Sequence, residues 1–345
     1  MPTFQSDADG SSIGLSTFGE DAVGLHAWTV EGGIGIDSHE PYAAASYSYR
    51  GVRPELTLSL ASVYGQGHLF GAGRPERQWQ AYLSALWPVR WVNDALWLSL
   101  SWQAVLHQAL SPQTVGKTRG VYPDNALISA LQFSLGWSNT WTPAQGISPG
   151  EGWSLRITLN ASHRAIGSDL DYATASASLT RYLSMPWHDL HVLALRLRGG
   201  VGWSPSPEQA LFSLGGAGLR NPIADFIQGT STSNTALRGY PAGALLGRHF
   251  WMASAEYRLP IAIIDWGMWT LPLYFKRLHG ALTADAGWAG ASMGGFGDIR
   301  PSIGAVLRLE AIVGHDFGAQ LQLGYAFGLG RGGVHNVYLG LGSGF

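Results

Sequence analysis

The sequence predicts an all-β chain that folds as a transmembrane antiparallel β-barrel of about 16 strands, a size within the range of single-chain barrels. Charged residues make up only 13% of the 345 residues, against about 25% in typical soluble domains. Apolar and polar residues alternate along short segments, so the mean hydropathy stays near zero at +0.05. The chain also contains 15 Trp, 13 Tyr and 47 Gly. This composition is typical of strands that face lipid on one side and a polar lumen on the other.

The first half of the chain reads as a meander of strands separated by turns. Residues 1–10 are polar and acidic, and no signal peptide pattern opens the chain. We therefore expect a disordered segment or linker remnant at 1–10, a barrel over 11–345, and a start that derives from a longer polypeptide. The predicted strands are Ser11 to Phe18, Gly24 to Ile36, Tyr42 to Arg50, Pro54 to Gly65, Gln78 to Arg90, Ala95 to Gln108, Ala126 to Thr140, Gly152 to Arg164, Asp169 to Met185 and Asp189 to Trp203.

The second half begins with Gln209 to Gly216, which leads into a long polar loop and brings the strand count to about sixteen. The apolar run from Leu259 to Phe275 is interrupted by proline, aspartate and glycine. It is also shorter than the ~20 residues of a membrane helix, and is interpreted as a wide turn between strands. The remaining strands are His249 to Leu259, Leu278 to Trp288, Ser302 to Val313, Ala319 to Phe327 and Asn336 to Phe345.

This strand order places two long connections on the side of the membrane where short turns are expected. If the long loop is extracellular, both chain ends lie on the periplasmic side, as expected. The connections at 65–77 and 109–125 then also fall on the periplasmic side, where barrel turns are usually short. Either a strand is miscounted in the first half, or these connections contact a periplasmic partner.

Tryptophans lie near predicted strand ends or on outward faces, where an interfacial aromatic girdle would place them. The alternative is ordinary cross-strand packing in a soluble sandwich. The residues are Trp87, Trp91, Trp97, Trp102, Trp137, Trp141 and Trp153.

One motif in the long loop is linked to the strands that follow it. The loop contains Leu237-Arg238-Gly239-Tyr240. Alternation places Glu256 on the polar face of one following strand and Asp285 on the polar face of the next. Two carboxylates on adjacent strands require a nearby cation, or one of them takes up a proton. Arg238 is the candidate cation.

These residues carry a family resemblance. The Gly215-Gly216 pair, the Leu-Arg-Gly-Tyr loop, the strand Ala255 to Pro260 and the strand Ala284 to Gly287 together resemble the C-terminal half of the BamA/TamA superfamily of outer-membrane assembly and secretion barrels. The resemblance implies a bacterial outer-membrane location and an extracellular loop folded into the lumen. There Arg238, Gly239 and Tyr240 would meet Glu256, Asp285 and Gly287.

The closing strand carries a second candidate site. Alternation directs Tyr338, Gly340, Gly342 and Gly344 toward the lumen, and the chain ends on Phe345. An aromatic end resembles the insertion signal of outer-membrane barrels, although Ser343 departs from that pattern. Inward glycines weaken a strand. They favour either a labile seam with the first strand, similar to the family's lateral gate, or simple room for the inserted loop.

The sequence offers no signature of catalysis. It lacks Cys, metal-ligand spacings of His and a Gly-x-Ser-x-Gly elbow, so no catalytic residue, metal or cofactor is predicted. A net charge of -2 argues against nucleic acid. The resemblance implies insertion or translocation of client polypeptides, with outer-membrane lipids and periplasmic accessory domains or proteins as partners. The alternatives are a passive pore and the membrane anchor of a larger fusion.

Overall fold

Most of the chain forms one large β-sheet. The computed structural model describes residues 2–7, 10–67, 74–110, 125–143, 146, 148–205, 212–216, 237–241, 243–292, 298–314 and 317–343. Within these residues sixteen strands form a single sheet, and two further strands form a small separate one. Each strand of the large sheet is hydrogen-bonded to the strand that precedes it in that sheet.

The strands are numbered in chain order, with β12 and β13 forming the small sheet. A 3-10 turn occupies Arg164–Ile166. Among the described residues, no helix has the length and apolar character needed to cross a membrane. The strands are β1 Pro2–Asp7, β2 Gly10–Glu20, β3 His26–Gly35, β4 Pro41–Tyr49, β5 Glu55–Gly67, β6 Arg74–Arg90, β7 Ala95–Ala109, β8 Asn125–Ser138, β9 Gly152–Ser162, β10 Tyr172–Met185, β11 His188–Trp203, β12 Phe212–Leu214, β13 Leu245–Gly247, β14 His249–Gly267, β15 Leu273–Gly290, β16 Arg300–Val313, β17 Phe317–Gly328 and β18 His335–Ser343.

Two strands of the predicted list are wrong. One strand of the large sheet was not predicted, and one predicted strand lies outside that sheet. Residues Pro2–Asp7, expected to be disordered or a linker, form β1 and pair antiparallel with β2. A proline is tolerated there because it is the first residue of its strand. Of the segment Gln209 to Gly216 the structure describes residues 212–216, and there Phe212–Leu214 pairs with β13 outside the large sheet. One strand is gained and one lost, so the total of sixteen is unchanged.

The extra first strand removes the difficulty with the long connections. The connections 68–73, 110–124 and 204–248 follow β5, β7 and β11, all odd-numbered strands of the large sheet. In a meander, connections that follow odd strands leave from the same end. By strand order, the connections 68–73 and 110–124 thus have the same parity as the one that carries Arg238, whereas the short turns 91–94 and 186–187 follow even-numbered strands.

The chain divides into two compact units. Unit 1 comprises Met1–Val89, Trp97–Leu135 and Thr158–Ala173, and unit 2 comprises Arg90–Leu96, Gly136–Ile157 and Thr174–Phe345. Apolar side chains alternate along the strands of both units and remain exposed on one face. We call the opposite face of the sheet the inner face. Exposed residues on the apolar side include Leu58, Leu60, Trp87, Trp102 and Trp153 in addition to Leu282, Leu307 and Leu339.

The β14–β15 hairpin positions the candidate site in unit 2. Its strands pair from His249 opposite Gly290 down to Gly267 opposite Tyr274. Register shifts between Pro260 and Ala262 break the ladder where proline cannot donate a hydrogen bond. β14 is thus longer than predicted, and the turn falls inside the apolar run, as expected.

Candidate functional site

The two predicted carboxylates project from adjacent strands of unit 2. Asp285 of β15 lies opposite Ser254 of β14, and Glu256 lies two residues further along, opposite Thr283. Side chains two residues apart share one face of a strand, so both acids belong to the inner face. Asp285 is buried. A buried carboxylate is costly unless a cation or hydrogen-bond donor accompanies it.

Arg238 is the cation beside Asp285. Its Nε lies 2.9 Å from Oδ2 of Asp285, and its Nη2 donates a 3.2 Å hydrogen bond to Oδ1. One guanidinium therefore contacts both carboxylate oxygens, an arrangement that restricts orientation as well as distance. The Asp285 side chain is 1% exposed and that of Arg238 17% exposed. Salt therefore screens this pair much less than a surface pair.

Glu256 has different direct partners from those implied by the resemblance. Its Oε1 lies 3.3 Å from Nε of Arg258 and also pairs with Nη2 of Arg308 on β16. Arg238 acts on Glu256 through longer-range electrostatics. The expectation that Arg238 directly contacts both acids is therefore corrected: it contacts Asp285, and two strand arginines hold Glu256.

Gly239 brings the loop backbone against the end of β17. Its φ of +81° lies in the left-handed region, and an added Cβ would stand 2.5 Å from the backbone nitrogen of Gly328. Its carbonyl oxygen accepts a 2.9 Å hydrogen bond from the nitrogen of Val334, just before β18. Only glycine combines this φ with so close an approach. The loop is thereby fastened to the β17–β18 turn.

Tyr240 fastens the loop at a second place. Its side chain is completely buried. The hydroxyl donates a 2.8 Å hydrogen bond to the carbonyl oxygen of Pro301 on β16 and accepts one of 2.8 Å from the nitrogen of Gly330 after β17. Its ring also lies beneath the guanidinium of Arg300, at 5.9 Å. A single hydroxyl thus joins the loop to the start of β16 and to the β17–β18 turn.

Leu237 and Gly287 form the apolar part of the contact. Leu237 is completely buried in a cluster with Leu214, Tyr240 and Phe250. A Cβ on Gly287 would lie 3.4 Å from a terminal methyl of Leu237. The glycine therefore leaves space in which leucine packs against β15. We call Leu237 to Tyr240 the anchor segment.

The predicted residues of the closing strand are only partly within the described structure. Tyr338 is buried on the inner face, and its ring passes so close to Gly324 that a Cβ there would lie 2.2 Å from it. It packs with Ala281 and Val306. Gly340 and Gly342 lie opposite Gln322 and Gln320 of β17, whereas Gly344 and Phe345 fall outside the described residues.

The sequence missed several contacts of the anchor segment. Arg258 and Arg308 could be assigned to the polar face by alternation, but alternation does not reveal which acid they reach. The interaction of Tyr338 with Arg238 joins residues 100 positions apart and has no local signal. The acceptor on Pro301 is a backbone carbonyl, which any residue would supply.

Comparison with known proteins relates this geometry to a family. The Omp85 superfamily domain matches residues 33–331. BamA from Haemophilus ducreyi lacking POTRA domains 1–3 aligns with a TM-score of 0.64 and 15% identity over 99% of this chain and 69% of that chain. CdiB from Escherichia coli aligns with a TM-score of 0.54 and 14% identity over 99% of this chain and 60% of that chain.

CdiB from Acinetobacter baumannii also aligns, with a TM-score of 0.53 and 12% identity over 99% of this chain and 58% of that chain. At such identities these similarities establish a shared fold. The chain spans only about three fifths of either CdiB chain. No curated protein matches its sequence.

Proposed function

The chain belongs to the Omp85 superfamily and is a bacterial outer-membrane β-barrel, and we propose that it inserts or translocates other outer-membrane or surface polypeptides. In this proposal it catalyses no chemical reaction. Its partners are membrane lipids, client polypeptides and periplasmic accessory domains or proteins. The anchor segment holds the loop against the inner face while a client strand pairs at the seam beside the last strand.

The observation that carries this proposal is the pair between Arg238 and Asp285, with 2.9 Å between Nε and Oδ2. The anchor segment is ionically held to β15 there and hydrogen-bonded to Pro301 through Tyr240. It also contacts the β17–β18 turn through Gly239. A loop joined to the last hairpin links the inner face to the proposed seam, which is the coupling that a gated barrel requires.

The last strand supports a seam that responds to the anchor segment. Tyr338 packs from β18 across Gly324. Its buried hydroxyl has no hydrogen-bond partner among the described residues but interacts electrostatically with Arg238. A displacement of β18 would therefore change the surroundings of Arg238. Beyond Tyr338, the inward residues Gly340 and Gly342 bring no side chains to the pairing with β17. An edge of this kind can exchange its partner for an incoming strand, as in β-augmentation.

The test is an insertion assay in liposomes. The chain is reconstituted, an unfolded outer-membrane barrel is added, and its folding is followed by heat-modifiable gel mobility and protease protection. We expect the wild type to accelerate insertion over empty liposomes and Arg238→Ala to lose most of that acceleration. The control is Arg181→Gln, which removes an arginine stacked 4.7 Å from the ring of Trp153. Its neighbour Thr180 bonds Arg196 on the inner face, so Arg181 lies on the outer face, opposite to the anchor segment.

Each outcome of this assay bears on one part of the proposal. Equal insertion with and without the wild-type chain would refute the insertase function and leave a pore or an anchor barrel. Acceleration that survives Arg238→Ala unchanged would refute the role of the anchor segment. Loss of activity in both variants would mean that any change of charge disturbs the barrel, which also contradicts a specific role for Arg238.

A further inference from the structure

Among the described residues, no carboxylate forms an ion pair with either arginine of a pair on β11. Arg196 and Arg198 lie two residues apart on one strand, opposite Ser254 and Met252 of β14. Both side chains therefore share the inner face, with their Cα atoms about 7 Å apart. The residues opposite them are neutral. Two guanidinium groups thus stand side by side without compensation across the strand pair.

The immediate contacts do not neutralise this pair. Nε of Arg196 donates a 3.1 Å hydrogen bond to the hydroxyl of Thr180, a neutral acceptor. The buried Nε of Arg198 has no hydrogen-bond partner among the described residues. Arg198 is repelled by Arg196 and Arg238 and attracted by Asp285. That attraction is shared, because Asp285 already binds Arg238.

The surrounding charges leave an excess of positive charge. In the described part of unit 2, this region of the inner face contains five arginines and only two carboxylates. Glu256 pairs with Arg258 and Arg308, and Asp285 pairs with Arg238. Arg196 and Arg198 are half-buried, and like charges held close together with little solvent are unfavourable. An anion at this place would reduce their repulsion. The five arginines are Arg196, Arg198, Arg238, Arg258 and Arg308.

We propose that Arg196 and Arg198 form a binding site for a phosphate group on the inner face, next to the Arg238–Asp285 pair. A carboxylate presents two oxygens in one plane and satisfies a single guanidinium fork. A phosphate presents oxygens in several directions and carries more charge, so it can bridge two adjacent forks. A lipid headgroup and a free phosphate both supply this chemistry. The site does not depend on the insertase function.

The test measures stabilisation of the purified, phosphate-free chain by ligand. Thermal unfolding in detergent is followed while inorganic phosphate replaces chloride at constant ionic strength and pH. We expect the wild type to show a saturable rise in Tm. Arg198→Gln should require at least about tenfold more phosphate for the same rise in Tm, because a charge-assisted hydrogen bond is lost. Acetate should produce no saturable shift in either protein.

Two further variants make the experiment specific. Arg181→Gln removes the same charge from the opposite face of β10, where its guanidinium stacks on Trp153, and should respond to phosphate like the wild type. Arg198→Lys keeps the charge but loses the planar fork, and should bind more weakly than the wild type and more tightly than Arg198→Gln. If Arg198→Gln does not fold, the weaker phosphate binding of Arg198→Lys still tests the role of Arg198.

A parallel titration with a short-chain phosphatidic acid identifies the source of the phosphate. Saturation by the lipid at lower concentration than by inorganic phosphate, with the same dependence on Arg198, indicates a headgroup site. Preference for inorganic phosphate indicates a free anion. Equal shifts in the wild type and Arg198→Gln with both ligands, or no shift at all, would overturn the proposal, as would an equal response to acetate.

Discussion

Two hairpins of the sheet, β4–β5 in unit 1 and β14–β15 in unit 2, share an apolar outer pattern but differ on the inner face. In β4–β5 the inner pairs are hydroxyls: Ser59 donates to Ser46 at 3.3 Å, and Ser48 lies 3.1 Å from Thr57. In β14–β15 the corresponding face carries an ion pair to the anchor segment. The membrane constrains only the outer residues, so specialised contacts can be concentrated in one part of the inner face.

The largest expected loss of stability comes from removing the carboxylate of Asp285 in the β14–β15 hairpin. Asp285→Ala leaves Arg238, whose side chain is only 17% exposed, without its carboxylate and should destabilise the barrel by up to about 3 to 5 kcal/mol. Chemical unfolding in detergent measures the difference. Ser59→Ala in the β4–β5 hairpin is the comparison variant and should lower the free energy of unfolding by only about 1 kcal/mol. Similar losses at both sites would remove the distinction between the hairpins.

The second effect separates backbone strain from packing. Gly239 and Gly167 have nearly the same φ, +81° and +82°, but a Cβ on Gly167 would meet nothing within 4 Å. Gly167→Ala should therefore cost only the left-handed strain, about 1 to 2 kcal/mol. Gly239→Ala should cost about 1 to 3 kcal/mol more, because it collides with the end of β17. Equal melting temperatures for the two variants would contradict the close packing of the anchor segment.

The third effect concerns one hydroxyl. Tyr240→Phe leaves the nitrogen of Gly330 without its acceptor and should cost about 1 to 3 kcal/mol. The carbonyl of Pro301 loses one of two donors and keeps the 2.8 Å bond from the nitrogen of Leu329. Tyr47 of unit 1 is an exposed tyrosine whose hydroxyl lies 2.7 Å from Nδ1 of His26. Tyr47→Phe should change the free energy of unfolding by less than about 0.5 kcal/mol. Chemical unfolding of both variants tests this, and a larger loss at Tyr47 would reverse the expected order.

The smallest effect is a pH dependence in the turn before β3. The backbone nitrogen of His26 donates a 2.7 Å hydrogen bond to Oδ1 of Asp21, and this bond lowers the pKa of Asp21 below its ordinary value. The folded pKa is below the unfolded one, so ionised Asp21 contributes stability at neutral pH that is lost as pH falls through the folded pKa.

Asp21→Asn should therefore be slightly less stable than the wild type at pH 7, and the gap should close below about pH 4. Thermal unfolding across this range is the measurement. A gap that widens on acidification would mean that the sign assigned to the Asp21 pKa shift is incorrect.

The sequence predicted the elements whose signal is local. Alternation placed Glu256 and Asp285 on the polar faces of the correct strands because a period of two specifies side-chain direction. It could not select Arg308 as a partner of Glu256, since register between strands depends on pairing across the sheet. β1 was missed because a short polar segment resembles a linker. Its existence follows only from its pairing with β2.

The most direct test of the anchor segment is single-channel conductance of the wild type beside Arg238→Ala in planar bilayers. If Arg238 holds the loop against the inner face through Asp285, the wild type should give a small, flickering current and the variant a larger, steadier one. An identical steady current from both proteins would contradict this account and would indicate an open pore that does not depend on the anchor segment.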